Sequence, residues 1–180
     1  MNLKKIIPGK NIPNNIYVII EIPYHSHPIK YEINKKTQVL FVDRLIPTAM
    51  LYPCNYGYIN QTLSDDGDPL DVLVILPYPL QYKCVIECRP IGILKMLDES
   101  GLDNKIIAVP NNNISIEYNN INNISDISEI LKKQILHFFQ HYKDLEYKKW
   151  VKIIGFEDIQ SAKQEIQKSI IKYQNYKKQL

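Results

Sequence analysis

Punctuation restricts the fold of this chain more than any single motif. From residue 16 to about 110, β-branched and aromatic residues come in short runs: IYVIIEI, IKYEI, VLFVDRL, YGYI, DVLVIL, KCVIECRPIGILKML and KIIAVP, separated by Pro, Gly, Asn and Asp. Runs of this length and composition suit strands, and many short strands divided by turn signals close into a barrel or pack as a sandwich. From about residue 126 the period changes. Ile127, Ile130, Leu131, Ile135, Phe138, Phe139 and Tyr142 recur every three or four residues, behind Asp126 and Glu129 spaced as a capping box. A helix is predicted over about 126–145. A second, over about 158–175, starts at Asp158 with Ile159, Ala162, Ile166, Ile170 and Tyr173 on one face, and is expected to fray in the polar QNYKKQL tail.

The length, 180 residues, suits a single α+β, mainly β domain with a real core. No apolar run approaches the roughly 18 residues that span a bilayer, and the amino-terminal MNLKKIIPGK has no leader-like apolar stretch, so a cytoplasmic protein with no membrane partner is expected. Three cysteines, Cys54, Cys84 and Cys88, fit reduced, half-buried thiols better than a disulfide framework. A formal net charge of only +3, with basic residues gathered near the carboxyl end, does not ask for a nucleic-acid partner.

The chemistry gathers in SDDGDPLDVLVIL, residues 64 to 76, where four carboxylates fall within seven positions ahead of an apolar strand. Carboxylates so crowded need water, cations or a metal to offset their repulsion. Asp66, Asp68 and Asp71 would converge at one strand mouth, and an oxygen-only donor set suits Mg²⁺ or Mn²⁺ rather than zinc. An EF-hand loop fails, because the sixth position counted from Asp66 is Asp71 rather than Gly and the twelfth is Pro77 rather than Glu. A bare acidic turn remains the alternative for this loop taken alone. A second acidic turn, Asp98 and Asp103 in MLDESGLDNK, precedes the strand that opens with Lys105. Glu21 interrupts an otherwise apolar strand and either meets a cation or donor or reaches solvent beside Pro23; Lys30 and Glu32 share one strand face. Arg44, Tyr52, Tyr56, Tyr142 and Lys143 add oxyanion donors, so acids able to hold metal occur with groups able to hold phosphate. His137 and His141 share a helical face, but HFFQH lacks the Glu of a zinc protease helix, and packing at a subunit contact fits better. His25 and His27 read as an exposed turn.

The element DGDPLD, inside YPCNYGYINQTLSDDGDPLDVLV, together with IYVIIEIP, PIKYEI, FVDR, RPIGILKMLDESGLDNKIIAVP and HFFQHYKDLE, resembles the soluble inorganic pyrophosphatases of the β-barrel family in their bacterial form, over about residues 3 to 160. The resemblance implies a small closed OB-like barrel over about 16–110 carrying the two helices. It implies hydrolysis of pyrophosphate to phosphate and a homohexamer. By that resemblance Asp66, Asp71 and Asp103 hold the tightest Mg²⁺, Asp98 and Asp103 another, and Glu21 with Glu32 a further one. Asp68 is the general base. Lys30, Arg44, Tyr56, Lys105, Tyr142 and Lys143 grip the phosphoryl groups, with Tyr52 in support. Mn²⁺ or Zn²⁺ would substitute and Ca²⁺ would inhibit. Asp65, which the signature does not require, is expected to point to water. A barrel that stacks single-stranded nucleic acid on its tyrosines is the rival from another class, and the carboxylates argue against it.

Overall fold

The computed structural model describes residues 3–34 and 36–179. Its strands run β1 (Ile16–Ile22), β2 (Ile29–Ile33), β3 (Leu40–Leu45), β4 (Asn55–Ile59), β5 (Leu70–Val74), β6 (Val85–Asp98), β7 (Gly101–Leu102), β8 (Lys105–Pro110) and β9 (Val151–Glu157), with helices α1 (Glu129–His141) and α2 (Ile159–Lys178). Strands β1, β4, β5, β8 and β6 hydrogen-bond in that order, and β6 returns to β1, so five strands form a ring; β2 and β3 make a separate hairpin. All joins in the ring are antiparallel except β5 with β8. Closure leaves these strands no open edge, which is the closed, mainly β architecture expected.

The fourteen-residue β6 makes the closure possible. Its first residues pair with β1, its middle with β8, and its far end with β9. The register shifts between Pro90 and Gly92, where Pro lacks the N–H a regular ladder requires and a bulge turns the strand. Side chains then alternate between two apolar clusters. Leu70, Val72 and Val74 of β5 pack with Ile16, Val18 and Ile20 and are covered by Ala162 and Ile166 of α2. Leu73 lies in the other cluster with Ile135, Phe138 and Phe139 of α1. Burial on both faces explains why DVLVIL reads as a continuous apolar run.

The helices differ from expectation at their ends. Asp126 does not cap α1. Its carboxylate accepts the N–H groups of Asn122 and Asn123 at 2.8 and 2.9 Å and completes a capping box around a 3₁₀ turn, Ile124–Asp126. Ile127 is extended (φ −86°, ψ 154°), which separates that turn from the helix. Ser128 caps α1, accepting from Leu131 N. The helix ends at His141 rather than near 145, and Ile130 faces water at 65% exposure. Helix α2 begins behind Asp158 as expected but continues through the tail to Lys178, its last-turn Lys177 and Lys178 lying at the end where the helix dipole favours cations. Strand β9 was not expected. It occupies the open side of the β6 carboxyl half. Among the described residues no helix is long and apolar enough to cross a membrane.

Candidate active site

The acidic loop is built to hold a tight shape. Buried Thr62 fastens its two ends, donating from Oγ to Ile59 O at 2.6 Å and accepting Leu70 N at 2.8 Å. Within it Asp66 Oδ1 accepts Asp68 N at 3.0 Å, and Ser64 N donates to Asp68 O at 2.7 Å. Gly67 sits at φ 92°, a conformation that a side chain would strain. Asp65 does not point free to water. Its carboxylate lies 2.8 Å from Lys172 Nζ and 3.3 Å from Lys168 Nζ, and Lys172 also donates to Ser64 O at 2.8 Å. Those cations draw the Asp65 carboxyl below the usual range, Lys172 most of all. With Leu63 N donating to Ser169 O of α2, the helix becomes the back support of the acidic loop.

Two bulges aim other groups at the same place. In β1, Ile20 pairs with Gly57 and Ile22 with Tyr56, so Glu21 is the extra residue. The strands come together closely there, since a Cβ on Gly57 would lie 2.1 Å from Ile19 O. Glu21 does not reach solvent. It is 8% exposed and accepts the Ile33 N–H at 2.7 Å, and burial, with Asp71 and Glu32 adding repulsion, pushes its carboxyl up to about 8. In the hairpin, Lys30 pairs with Arg44 and Tyr31 with Val42, leaving Asp43 as the bulge. Lys30 Nζ meets Glu32 Oε1 at 2.5 Å, and Arg44 Nη1 donates to Asp43 Oδ2 at 2.7 Å.

At the centre, Asp71 and Lys105 are direct partners across the parallel β5–β8 pair. Lys105 Nζ lies 2.8 Å from both Asp71 Oδ2 and Asp103 Oδ1, and Tyr56 donates its hydroxyl to Asp71. Burial opposes the Lys105 charge, yet Asp103 and Asp71 outweigh it and hold the ammonium well above its usual range. Lys143, just beyond α1, donates to Asp98 Oδ2 at 2.7 Å and approaches Glu99 at 3.3 Å. Burial alone would lift the Asp98 carboxyl, but Lys143 and the Ser100 N–H hold it down. Phe138 stacks on Tyr142 with centroids 5.4 Å apart and leans on Tyr52 at 4.8 Å, fixing both phenols. Burial raises both hydroxyls above the ordinary tyrosine range, so they are donors at neutral pH.

These groups line one cleft of about 270 Å³, small for an organic ligand and of a size for an inorganic one. All fourteen residues singled out from the sequence face it: Glu21, Lys30, Glu32, Arg44, Tyr52, Tyr56, Asp66, Asp68, Asp71, Asp98, Asp103, Lys105, Tyr142 and Lys143. Eight carboxylates face five cationic side chains there. Among the described residues no three of His, Cys, Asp or Glu already converge as a finished ligand sphere, because lysines sit between the acids. The donor set nevertheless fits a hard divalent cation. The excess charge is negative, every available ligand atom is oxygen, and burial, together with neighbouring Asp71, Asp103 and Asp68, raises the Asp66 carboxyl, a strain that a cation relieves.

Sequence reasoning overlooked four further polar lining groups, Tyr58, Glu99, Ser100 and Lys149, and also Glu146, which stands behind Arg44. Glu99 was legible as a second acid beside Asp98. Lys143, Glu146 and Lys149 are spaced by three and are stacked by single turns, Glu146 N to Lys143 O and Lys149 N to Glu146 O, outside any helix or strand, so no apolar pattern marks them. The histidines His137 and His141 lie away from the cleft lining, 4.9 Å apart between ring centroids, and His141 Nδ1 meets Asp144 Oδ2 at 2.8 Å. His25 and His27 form the exposed turn anticipated, His25 stacked on Tyr24. The three cysteines are free thiols, with Cys54 and Cys88 buried.

Residues 18–174 match the family model described as inorganic pyrophosphatase. The chain is 68% identical over 169 residues to the inorganic pyrophosphatase of Buchnera aphidicola from Schizaphis graminum, covering 94% of each chain. To that of Escherichia coli K12 it is 57% identical over 175 residues, or 97% of this chain and 99% of the relative. The crystal structure of inorganic pyrophosphatase from Thermus thermophilus superposes with a TM-score of 0.90 at 40% identity, over 97% of this chain and 99% of that one. The structure from Coxiella burnetii, also an inorganic pyrophosphatase, superposes at 0.90 with 47% identity, over 93% of this chain and 99% of that one.

Proposed function

Given that this chain belongs to the inorganic pyrophosphatase family, we propose that it hydrolyses pyrophosphate by direct attack of water, with Asp68 as general base and Mg²⁺ as cofactor. The observation that carries the reading is a single small cleft in which carboxylates on both acidic turns stand opposite Lys30, Arg44, Lys105 and Lys143. Asp66, Asp71 and Asp103 would hold the tightest ion, Asp71 would also face a second, Asp98 with Asp103 would hold a third, and Glu21 with Glu32 a fourth. When bound, the ions supply charge neutralisation of the substrate and lower the pKa of the attacking water.

The chain's own groups do the rest. Arg44, Lys30 and Lys143 bind phosphoryl oxygens, and the Tyr56 and Tyr142 hydroxyls donate to them, placing the phosphorus in line with the water. Asp68 accepts the water proton as the new P–O bond forms and the bond to the bridging oxygen breaks, and the leaving phosphate carries off the electron pair. Lys105, 2.8 Å from both Asp71 Oδ2 and Asp103 Oδ1, bridges the two carboxylates and adds a further cation to the grip on the phosphoryl groups. No covalent enzyme intermediate is needed. We further assign a cytoplasmic homohexamer, Mn²⁺ or Zn²⁺ as weaker substitutes, and inhibition by Ca²⁺.

A phosphate-release assay with and without Mg²⁺ tests this reading. Turnover should require Mg²⁺, fall with Ca²⁺, and drop by at least 100-fold in Asp68→Asn. Full activity in that variant removes Asp68 as the base, and sedimentation velocity tests the hexamer.

A further inference from the structure

Four of the five cleft cations are paired with carboxylates that also line the cleft or belong to the β2–β3 hairpin: Lys30 with Glu32, Arg44 with Asp43, Lys105 with Asp71 and Asp103, and Lys143 with Asp98 and Glu99. Glu146 is a different case. Its side chain is 9% exposed, it does not line the cleft, and its Oε2 lies 2.8 Å from Arg44 Nε and 3.2 Å from Lys149 Nζ. Its other oxygen, Oε1, is buried with no hydrogen-bond partner. A carboxylate so enclosed has these two cations as its partners, and they share it in turn.

We propose that Glu146 is a positioning residue for pyrophosphate, a buried counter-anion that makes Arg44 and Lys149 converge on one phosphoryl group. Two cations both within 3.2 Å of the same oxygen would repel each other and splay apart without it. Arg44 Nε approaches Oε2 without alignment for a hydrogen bond, so the contact acts through charge. Asp43 takes Arg44 Nη1, and that contact holds the arginine from the hairpin side only. The turns that place Glu146 three residues after Lys143 and three before Lys149 put the counter-anion on the same irregular segment as two cleft lysines. The role goes beyond any ligand or base function in the cleft, and it rests on the reading that Arg44 grips phosphate.

Steady-state kinetics at fixed free Mg²⁺ decide the matter. Glu146→Gln, which retains size and removes charge, should raise KM for pyrophosphate about tenfold and change kcat by less than about threefold. Glu146→Asp, which retains charge, should recover at least half of the loss on a logarithmic scale. Arg44→Ala combined with Glu146→Gln should lose less than the sum of the two single losses, since part of the Glu146 effect runs through the arginine and the rest through Lys149. An unchanged or lowered KM in Glu146→Gln overturns the proposal, as does a Glu146→Asp variant no better than Glu146→Gln. If Arg44→Ala itself leaves KM unchanged, the phosphate-grip reading falls instead. Thermal unfolding of each variant separates loss of fold from loss of positioning.

Discussion

Replacing Lys105 by Met tests the electrostatic logic of the cleft most directly. The side chain keeps its length, loses its charge, and leaves Asp71 and Asp103 without the ammonium that now lies 2.8 Å from each. At an effective dielectric near 20, each contact is worth about 6 kcal/mol of gross attraction, most of it cancelled by the cost of burying an ammonium that is 3% exposed. Removing only one partner leaves the desolvation of the others in place, and such losses run at about 3–5 kcal/mol. For a chain of this size that corresponds to a melting temperature lower by about 6–20 °C, measured in EDTA at pH 8 and low salt. The deficit should shrink toward pH 5. Burial already holds the Asp71 carboxyl above its usual range despite the lysine, and without that ammonium it rises further, so stability is intact below the unfolded pKa and is lost as pH climbs through the folded one. Saturating Mg²⁺ should recover part of the loss, and Lys105→Met with Asp71→Asn should recover more than half. A variant within about 1 kcal/mol of the parent at pH 8, or a deficit that does not vary with pH, refutes the reasoning.

Other expectations follow from particular contacts. Glu21→Gln keeps an acceptor for the Ile33 N–H and removes the buried acid. Because the Glu21 carboxyl sits at about 8 in the fold, its stability is fully present below its ordinary value of 4.5 and lost as pH rises through 8. In EDTA the variant should therefore gain on the parent across that window, by on the order of 4 kcal/mol at the top, and melts from pH 4.5 to 9 read it. Gly57→Ala would drive a methyl to 2.1 Å from Ile19 O, backbone that cannot rotate away, so chemical denaturation should show a loss of about 2 kcal/mol or more. Lys172→Ala releases Ser64 O and leaves Asp65 with Lys168 alone. It should cost under about 1 kcal/mol of stability, since the pair is exposed, yet weaken Mg²⁺ binding about twofold by calorimetry at low salt and not in 0.5 M KCl.

Much of this was legible in advance because strands and acids leave strong local marks. The runs from IYVIIEI to KIIAVP became β1 to β6 and β8 nearly residue for residue, since Pro, Gly and Asn delimit them by chemistry that acts over a few positions. VKIIGFE was equally rich in β-branched residues, but Gly155 and the neighbouring lysines masked it until β6 offered an edge. Asp126 carried the capping signal and used it one turn early, because extended Ile127 broke the path to α1. Asp65 lacked any local cue, its partners lying 103 and 107 residues away on α2.

The sequence alone determined that strands would precede helices, that two acidic turns would open onto strands, and which side chains could bear metal and phosphate chemistry. Those follow from periodicity and residue type, both local properties. Only the tertiary structure decided that Glu21 is a bulge residue turned inward, that Lys105 lies between two acids, that α2 braces the acidic loop and that Glu146 stands behind Arg44. Each depends on ring closure or on irregular turns bringing distant residues within a few ångströms. The energy of a buried charge is set by those neighbours rather than by its place in the chain.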